Sequence, residues 1–331
     1  RRGDRKVNFF RRLSEKVGRV AAHVSEEDRS ALAPHRLLAR GLRLVQERHA
    51  ARGGAIVDRR SPLDAREQPL VDAVLDVYAE AATSWFRLET LGASRIPDEP
   101  TLFVGNHNGG ILATEGGLTG VIHRQVHGGR RRLYALAHDV MFADPVLRKV
   151  AGRVGLLRAD PENALRALQA GHDVLVFPGS DYDAARPFSE RNRIVLAGRT
   201  GFVKLALKAG VPIVPVVSAG LHEQMIVLTR GETLARVLGM RKHTRAAVFP
   251  IALAVPWGLM PGIIPYIPLP TQTSIEFGEP LRWPSLSAAD AEDPEVVAGC
   301  FREAETATQT PLDRLTAGRR FLRGQPRGRG K

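Results

Sequence analysis

Short apolar runs recur through the middle of the chain, separated by turns and by segments whose apolar residues have helical spacing. Four runs have the length and composition of buried strands, namely 102–104, 133–137, 174–177 and 211–217. Between them, segments 161–170 and 201–209 repeat apolar residues at helical spacing, and a glycine follows each one. This alternation predicts an α/β fold with a mainly parallel sheet flanked by helices.

The two ends of the chain have a different pattern. Residues 1–62 are rich in arginine and alanine, with helical spacing of apolar residues near 17–24 and 37–45 before a glycine-containing linker. We therefore expect three regions: a basic helical arm and linker over 1–62, an α/β domain over 63–290, and a C-terminal helix with a basic tail over 291–331.

Residues 246–269 carry no charged side chain, and Tyr266 supplies their only hydroxyl group. The segment is long enough to span a bilayer. Five prolines interrupt it, however, and one proline inside a helix already costs about 3 kcal/mol. We predict an apolar loop that lies in a membrane interface or covers a tunnel for an apolar chain. A loop that covers the core is the alternative.

Length and cysteine content restrict the class of protein. A chain of 331 residues can form one large α/β core with appendages, or two small domains. Its single cysteine, Cys300, excludes an internal disulfide framework and a cysteine-based metal site, which is typical of a cytosolic or cytosol-facing protein. The other histidines, among them His123 and His127, have no spacing that indicates a metal site.

The net charge of +13 is concentrated at the two ends. Residues 1–60 hold 16 Lys and Arg against 7 Asp and Glu, and residues 314–331 hold 7 basic residues and no acid. Such ends suit an anionic membrane surface, and solvated tails are the plainer alternative. Nucleic acid would also attract them, but the middle of the chain lacks a basic face studded with aromatic residues. We therefore expect no nucleic-acid partner.

His107 lies at the centre of the most informative stretch. It follows the apolar run 102–104 after a Gly-Asn break, and two glycines come soon after it. A histidine just past a buried strand lies at the edge where open α/β sheets bind ligands, and its ordinary pKa near ~6.5 suits proton transfer. A second loop, 178–183, follows the run 174–177, so parallel strands would bring both loops to one crevice. A purely structural histidine is the alternative.

Four short motifs occur in order along the chain, namely Asn106-His107, Phe177-Pro178-Gly179, Arg199-x-Gly201-Phe202 and Val211-Pro212-Ile213-Val214-Pro215. In type and order they resemble the phospholipid and glycerol acyltransferase superfamily, and most of all its diacylglycerol-acyltransferase-like and actinobacterial branches. The resemblance implies transfer of a fatty acyl group from acyl-CoA or acyl-carrier protein to a hydroxyl of a glycerolipid or glycolipid. It implies no metal or redox cofactor.

The chain departs from the superfamily pattern at two places. The usual motif has an aspartate five residues after the histidine, where this chain has a leucine, and the first carboxylate downstream is Glu115. The third motif usually reads Phe-Pro-Glu-Gly-Thr-Arg, so Tyr182 stands where an arginine commonly meets an acceptor phosphate. We therefore expect an uncharged lipid or glycolipid acceptor, unless Arg158, Arg186 or Arg199 binds a phosphate instead.

The resemblance also implies a role for each matching residue. His107 is expected to be the general base, oriented by Glu115, with Asp183 as the competing carboxylate. Backbone N–H groups of the second loop would stabilise the oxyanion. The loop residues are Pro178, Gly179, Ser180 and Asp183, and the expected substrate-binding residues are Asn106, Arg158, Arg199, Gly201 and Phe202.

The expected partners are the acyl donor, the lipid acceptor and a membrane surface, and the pattern says nothing of oligomeric state. We expect the chain to be peripheral, at the cytoplasmic face of a membrane. A second hypothesis is a non-catalytic lipid-binding or membrane protein that keeps the acyltransferase fold, and the displaced carboxylate is its best support.

Overall fold

The computed structural model describes residues 2–32, 36, 61–108, 113–142, 144–240, 247–262, 264 and 266–325. The predicted helix near 37–45 and almost all of the predicted linker lie outside these residues. The region boundaries at 62 and 290 remain predictions.

Among the described residues, three helices come first: α1 (Arg2–Ala22), α2 (Glu26–Ala31) and α3 (Gln68–Ser84). Helix α1 lies along α3. Phe9 of α1 is buried and stacks on Trp85, which caps α3, with ring centroids 5.8 Å apart. Arg12 donates a 2.9 Å hydrogen bond to Glu80 of α3. The apolar residues at 17–24 that predicted a helix thus lie largely within the longer helix α1, which packs on α3.

A seven-stranded sheet forms the centre of the molecule. Its strands are β1 (Glu89–Leu91), β2 (Leu102–Gly105), β3 (Leu133–Ala137), β4 (Leu156–Arg158), β5 (Asp173–Val176), β6 (Ile213–Ala219) and β10 (Ser274–Phe277). Their spatial order is β1, β10, β6, β2, β5, β3, β4. Neighbouring strands are parallel except β10 with β6. The prediction of a mainly parallel sheet flanked by helices is confirmed.

Helices cover both faces of this sheet. The described helices that follow β2 in the chain are α4 (Thr114–His127), α5 (Pro145–Arg153), α6 (Pro161–Gln169), α7 (Ser180–Ala184), α8 (Gly201–Ala209), α9 (Glu232–Val237) and α10 (Pro294–Thr316). Successive residues of β2 point to opposite faces. Leu102 and Val104 join a core with residues of α6, α8 and α10, whereas Phe103 joins a second core with residues of α3 and α4. Because both faces are covered, the strands read as continuous apolar runs rather than as alternating ones.

Asp-Pro pairs begin three of the helices. The side chain of Asp144 accepts the N–H groups of Val146 and Leu147 at the start of α5, at 2.9 and 3.1 Å. Asp160 and Asp293 cap α6 and α10 in the same way. Each aspartate satisfies backbone donors that a helix leaves unpaired, and each proline occupies the first turn, where it has no hydrogen bond to lose.

A second, antiparallel sheet consists of β7 (Ile226–Thr229), β8 (Ile251–Ala254) and β9 (Gly258–Pro261). The prediction of an irregular apolar loop over 246–269 is therefore wrong for β8 and β9. Its prolines do not exclude strands, because Pro250 precedes β8, Pro256 lies in the hairpin turn and Pro261 ends β9. Among the described helices, none is both long and apolar enough to cross a membrane.

Candidate active site

The loops that follow β2 and β5 meet at one edge of the sheet. The two strands are parallel neighbours, with Val104 opposite Val176, so both chains leave the sheet side by side. His107 then stacks on Phe177, with ring centroids 5.0 Å apart and an interplanar angle of 22°. Gly105 makes this approach possible, since a Cβ there would lie 2.7 Å from the Phe177 ring. The predicted meeting of the two loops is confirmed.

Glu115 lies against the imidazole of His107. Nδ1 of His107 contacts Oε1 of Glu115, and the backbone N–H of Asn108 donates to the same oxygen at 3.3 Å. Glu115 is in the first turn of α4 and only 1 % exposed, whereas the His107 side chain is 20 % exposed. The structure thus brings the histidine into contact with the carboxylate eight residues further on.

The pKa of His107 is raised above its ordinary value. Burial opposes protonation of the ring, but the nearby charge and hydrogen bond of Glu115, with a further contribution from Asp183, outweigh it. A histidine in this setting holds a proton more firmly than one in water. It can accept a proton from a bound hydroxyl group once it has been deprotonated.

Asp183 contacts the backbone of His107 rather than its ring. Its Oδ2 accepts the His107 N–H at 2.6 Å, and its Oδ1 pairs with Nη1 of Arg186. Asp183 and Arg186 are both 0 % exposed. Asp183 therefore fixes where the histidine loop runs, and Glu115 fixes how the ring is turned.

Asn106 ties the same loop to β6. Its Oδ1 accepts the Ser218 N–H at 2.8 Å, and its amide nitrogen donates to the Ser218 carbonyl at 3.0 Å. Asn108 lies beside this pair and contacts the Ser218 hydroxyl. Asn106 is fully buried, so its observed contacts hold the loop. A contact of Asn106 with substrate stays a prediction.

The loop after β5 forms a tight turn. Ser180 has φ 48° and donates its backbone N–H to the carbonyl of Phe177 at 3.0 Å, so this group is already used within the turn. Gly179 cannot be replaced without movement, since a Cβ there would lie 2.1 Å from the Val195 carbonyl oxygen. Of the two expected oxyanion donors, Gly179 is the one that remains for the proposal below.

The residues expected to bind substrate are spread over a wide area. Nη1 of Arg199 donates to the Pro178 carbonyl at 3.1 Å, beside the second loop. Arg158 ends β4, three strands from β2 and so roughly 14 Å away at about 4.8 Å per strand. Its Nε donates to Asp139 at 2.6 Å. Gly201 begins α8, and Phe202 lies in the core beneath that helix.

Tyr182, at the position of the usual phosphate-binding arginine, is engaged by its own neighbours. Its hydroxyl donates to Glu232 at 2.7 Å, and the guanidinium of Arg230 lies 4.5 Å from the centre of its ring. Arg230 in turn donates to Glu190 at 2.8 Å. Arg230, the cation beside Tyr182, is thus already paired with a carboxylate.

Several residues of the site had no sequence signal of their own. Arg186 appeared only as one of three spare arginines, yet it is buried against Asp183. His222 donates from Nε2 to the Arg186 carbonyl at 2.6 Å, and burial lowers the pKa of His222 to about 3. Ser218 lies one residue beyond the predicted run 211–217, within the longer observed strand β6. The polar residues of β6 and of the turn after it could have indicated these site residues, because β6 ends at the same edge of the sheet as β2.

His123, His127 and Asp173 form a group that their spacing did not predict. Their ligand atoms lie within 4.8 Å of one another, and all three residues are buried. Nε2 of His123 lies 2.7 Å from Oδ2 of Asp173, and Nε of Arg131 lies 3.6 Å from the same oxygen. A guanidinium thus already faces this carboxylate, and Asp173 begins β5 at the edge opposite to His107. The expectation that these histidines form no metal-like grouping is corrected, but the group lies outside the site.

The family model for diacylglycerol acyltransferase matches residues 74–299, which is more than half of the chain. The chain therefore belongs to the diacylglycerol acyltransferase family. This agrees with the superfamily that the motifs around His107 and Gly179 resemble.

Relatives occur in mycobacteria and in an animal. An uncharacterized protein of Mycobacterium tuberculosis (strain ATCC 25618 / H37Rv) is 35% identical over 240 residues, which is 72% of this chain and 64% of that protein. The Gallus gallus protein named DGAT1/2-independent enzyme synthesizing storage lipids is 24% identical over 208 residues, 62% of this chain and 56% of that protein. The chain thus spans less than two thirds of the length of these relatives.

The crystal structure of the 1-acyl-sn-glycerophosphate (LPA) acyltransferase, PlsC, from Thermotoga maritima is similar to this chain with a TM-score of 0.47. The two share 16% sequence identity, and the similarity covers 84% of this chain and 89% of that chain.

The buried pair under the histidine loop predicts a large loss of stability in Asp183→Asn. The substitution leaves Arg186 charged and buried without its partner, which should lower the free energy of unfolding by about 3–5 kcal/mol. Adding Arg186→Met should recover much of that loss. Glu292→Gln, which disrupts an exposed pair with Lys208, is the control and should have little effect. Urea unfolding followed by circular dichroism measures all four proteins, and a stable Asp183→Asn single variant would contradict the prediction.

Proposed function

We propose that this chain is an acyltransferase that moves a fatty acyl group from a thioester donor, acyl-CoA or acyl-carrier protein, to a hydroxyl of a glycerolipid or glycolipid. The observation that carries the proposal is the contact of His107 with Glu115 at the edge where the two motif loops meet. A histidine oriented by a carboxylate, at the ligand-binding edge of an α/β sheet, is the arrangement that removes a proton from a hydroxyl group.

The proposed reaction begins at the free nitrogen of His107. With Nδ1 engaged by Glu115, Nε2 accepts the proton of the acceptor hydroxyl as its oxygen attacks the thioester carbonyl carbon. The carbonyl oxygen becomes negatively charged, and the backbone N–H of Gly179 stabilises it. When the C–S bond breaks, the thiolate takes the proton back from Nε2. The products are an ester and a free thiol, and the enzyme returns to its starting state.

The acceptor that fits best carries no phosphate at the reacting end. Arg158 lies three strands away and is paired with Asp139. Arg186 is buried and paired with Asp183. Arg199, whose side chain is 44 % exposed, is the nearest of the three to solvent. An uncharged lipid alcohol such as a diacylglycerol, or a glycolipid, avoids burying a phosphate without a cationic partner.

Membrane attachment is part of the proposal, because such an acceptor is held in a bilayer. We place the chain peripherally at the cytoplasmic face, where its basic ends meet anionic headgroups. A non-catalytic lipid-binding protein is the competing hypothesis. Its main support was the carboxylate missing from the usual position, and the contact of Glu115 with His107 weakens that support.

His107→Ala tests the proposed function directly. The variant should lose at least about 10²-fold in acyl transfer, because a positioned general base contributes that much. Its thermal midpoint should stay close to that of the unmodified chain. His172→Ala, in the turn before β5, is the control histidine and should keep its activity. Transfer of a radiolabelled acyl chain to extracted lipid acceptors measures the rates, and a His107→Ala rate above about a tenth of normal would remove the general-base role.

Glu115→Gln should change the pH dependence of the reaction as well as its rate. Glu115 raises the pKa of His107, and only the deprotonated ring accepts a proton, so activity should rise with pH through a midpoint above ~6.5. Removing the charge lowers that pKa, so the rise should move to lower pH while the maximum rate falls. The kcat/KM profile over pH measures both, with Asp160→Asn as the control. An unchanged midpoint in Glu115→Gln would show that Glu115 does not act on the ring.

The acceptor class is tested by competition. Lysophosphatidic acid, monoacylglycerol and diacylglycerol are offered at equal concentrations with one acyl-CoA, and the products are separated by mass spectrometry. We expect the uncharged acceptors to be preferred, and Arg158→Ala and Arg199→Ala to leave the order unchanged. A strong preference for lysophosphatidic acid that collapses in either variant would refute the uncharged acceptor and identify the arginine that binds the phosphate.

A further inference from the structure

The outward face of the small sheet is apolar. Leu253 of β8 and Leu259 of β9 are register partners, 42 % and 63 % exposed, and Trp257 in the turn between them is 54 % exposed. The neighbouring pair, Ala252 and Met260, points the other way into a buried cluster. An antiparallel sheet with one solvated face normally carries polar residues on that face. The exposed leucines therefore indicate that something other than water covers this side.

The apolar surface continues from the hairpin to α1. Ile267, whose side chain is half exposed, donates its backbone N–H to the Val255 carbonyl at 2.7 Å. The next residue, Pro268, accepts a 2.9 Å hydrogen bond from the indole of Trp85. Trp85 in turn packs edge-on against Phe10, which is 54 % exposed. Direct contacts thus link the hairpin, Ile267 and the exposed side of α1 into one surface.

Positive charge borders this surface. Helix α1 carries seven Lys and Arg against two acids, and Arg11 is largely exposed. Between β7 and β8, the described residues 230–240 contain two basic residues and one acid. Apolar side chains flanked by basic ones are the composition with which an interfacial element binds an anionic bilayer. Because no charged side chain occurs between 246 and 269, this part offers a protein partner few polar contacts.

We propose that the outward face of β8 and β9, Ile267 and the exposed side of α1 together form a docking surface for an anionic lipid bilayer. Trp257, Leu253 and Leu259 enter the interface between headgroups and acyl chains, and the arginines of α1 lie among the headgroups. That a bilayer holds the substrate rests on the proposed function, but docking itself does not depend on catalysis.

The residue before Ile267 in the chain is buried rather than part of the docking surface. Tyr266, one residue before Ile267, is buried, and its hydroxyl has no hydrogen-bond partner among the described residues. Burial raises the pKa of Tyr266, and the carboxylate of Glu115 is close enough to raise it further.

Vesicle flotation with the full chain tests the proposal. Equimolar phosphatidylcholine–phosphatidylglycerol vesicles should bind the chain, and high salt or pure phosphatidylcholine should weaken binding. The double variant Leu253→Glu/Leu259→Glu should bind at least about tenfold more weakly, because charges replace two exposed leucines that would otherwise enter the bilayer interface. The control is Val126→Glu, a partly exposed apolar residue near the C-terminal end of α4, and it should bind like the unmodified chain.

Tryptophan quenching gives a second readout that needs no destabilising change. Brominated acyl chains should quench part of the fluorescence of the bound chain, and Trp257→Phe should abolish most of that quenching. Normal vesicle binding by a folded double variant, or quenching unchanged in Trp257→Phe, would overturn the proposal. The alternative occupant of the surface is a second copy of the chain, and sedimentation velocity without lipid tests it. A dimer that the double variant abolishes would assign the surface to that second copy.

Binding is measured without acyl donor, so its outcome is independent of the proposed reaction. His107→Ala should float with vesicles like the unmodified chain. If the unmodified chain binds but transfers no acyl group, the proposed function fails and the docking surface stands. If it transfers acyl groups but the double variant binds normally, the docking surface fails alone.

Discussion

The pairing of β2 between β5 and β6 is the constraint on which the rest of the site depends. Val104 lies opposite Val176 on one side and Pro215 on the other, so three chains leave the sheet at one edge. Because β2 is buried on both faces, a shift of one residue would turn Phe103 into the wrong core. The same register that satisfies the core therefore places His107 beside Phe177, and the site needs no separate device to bring its loops together.

Two carboxylates then divide the work of holding the histidine. Asp183 accepts the backbone N–H of His107 and pairs with Arg186, so both of its carboxylate oxygens have partners within the fold. Glu115 binds the ring, and its Oε2 has no hydrogen-bond partner among the described residues. A buried ion pair contributes little net stability compared with apolar packing, because both ions lose their hydration. Its place beneath the histidine loop is better explained by the position it gives to His107 than by stability.

The features that follow from local chemistry could be predicted from the sequence. Apolar runs identified four strands of the large sheet, helical spacing followed by a glycine identified α6 and α8, and the two loops at strand ends identified the candidate site. The hairpin of β8 and β9 could not be predicted, because both of its faces are apolar and its prolines resemble helix breakers placed in a loop. The surroundings of Arg186 were also hidden, since its contact with Asn108 joins residues 78 positions apart. The residues next to Arg186 or Asn108 in the sequence give no indication of such a long-range contact.

The eight-residue spacing from His107 to Glu115 can bring a carboxylate to the imidazole, as the shorter spacing that is usual in the superfamily does. Ala113 has φ 41°, and α4 begins directly after it, so Glu115 falls in the first turn of the helix. A carboxylate there is favoured by the positive end of the helix dipole, and the Asn108 N–H also binds it. Both interactions hold the carboxylate in place against the ring of His107. When His107 accepts a proton, the new positive charge therefore forms beside a fixed negative one, which costs far less than an isolated charge in the same buried setting.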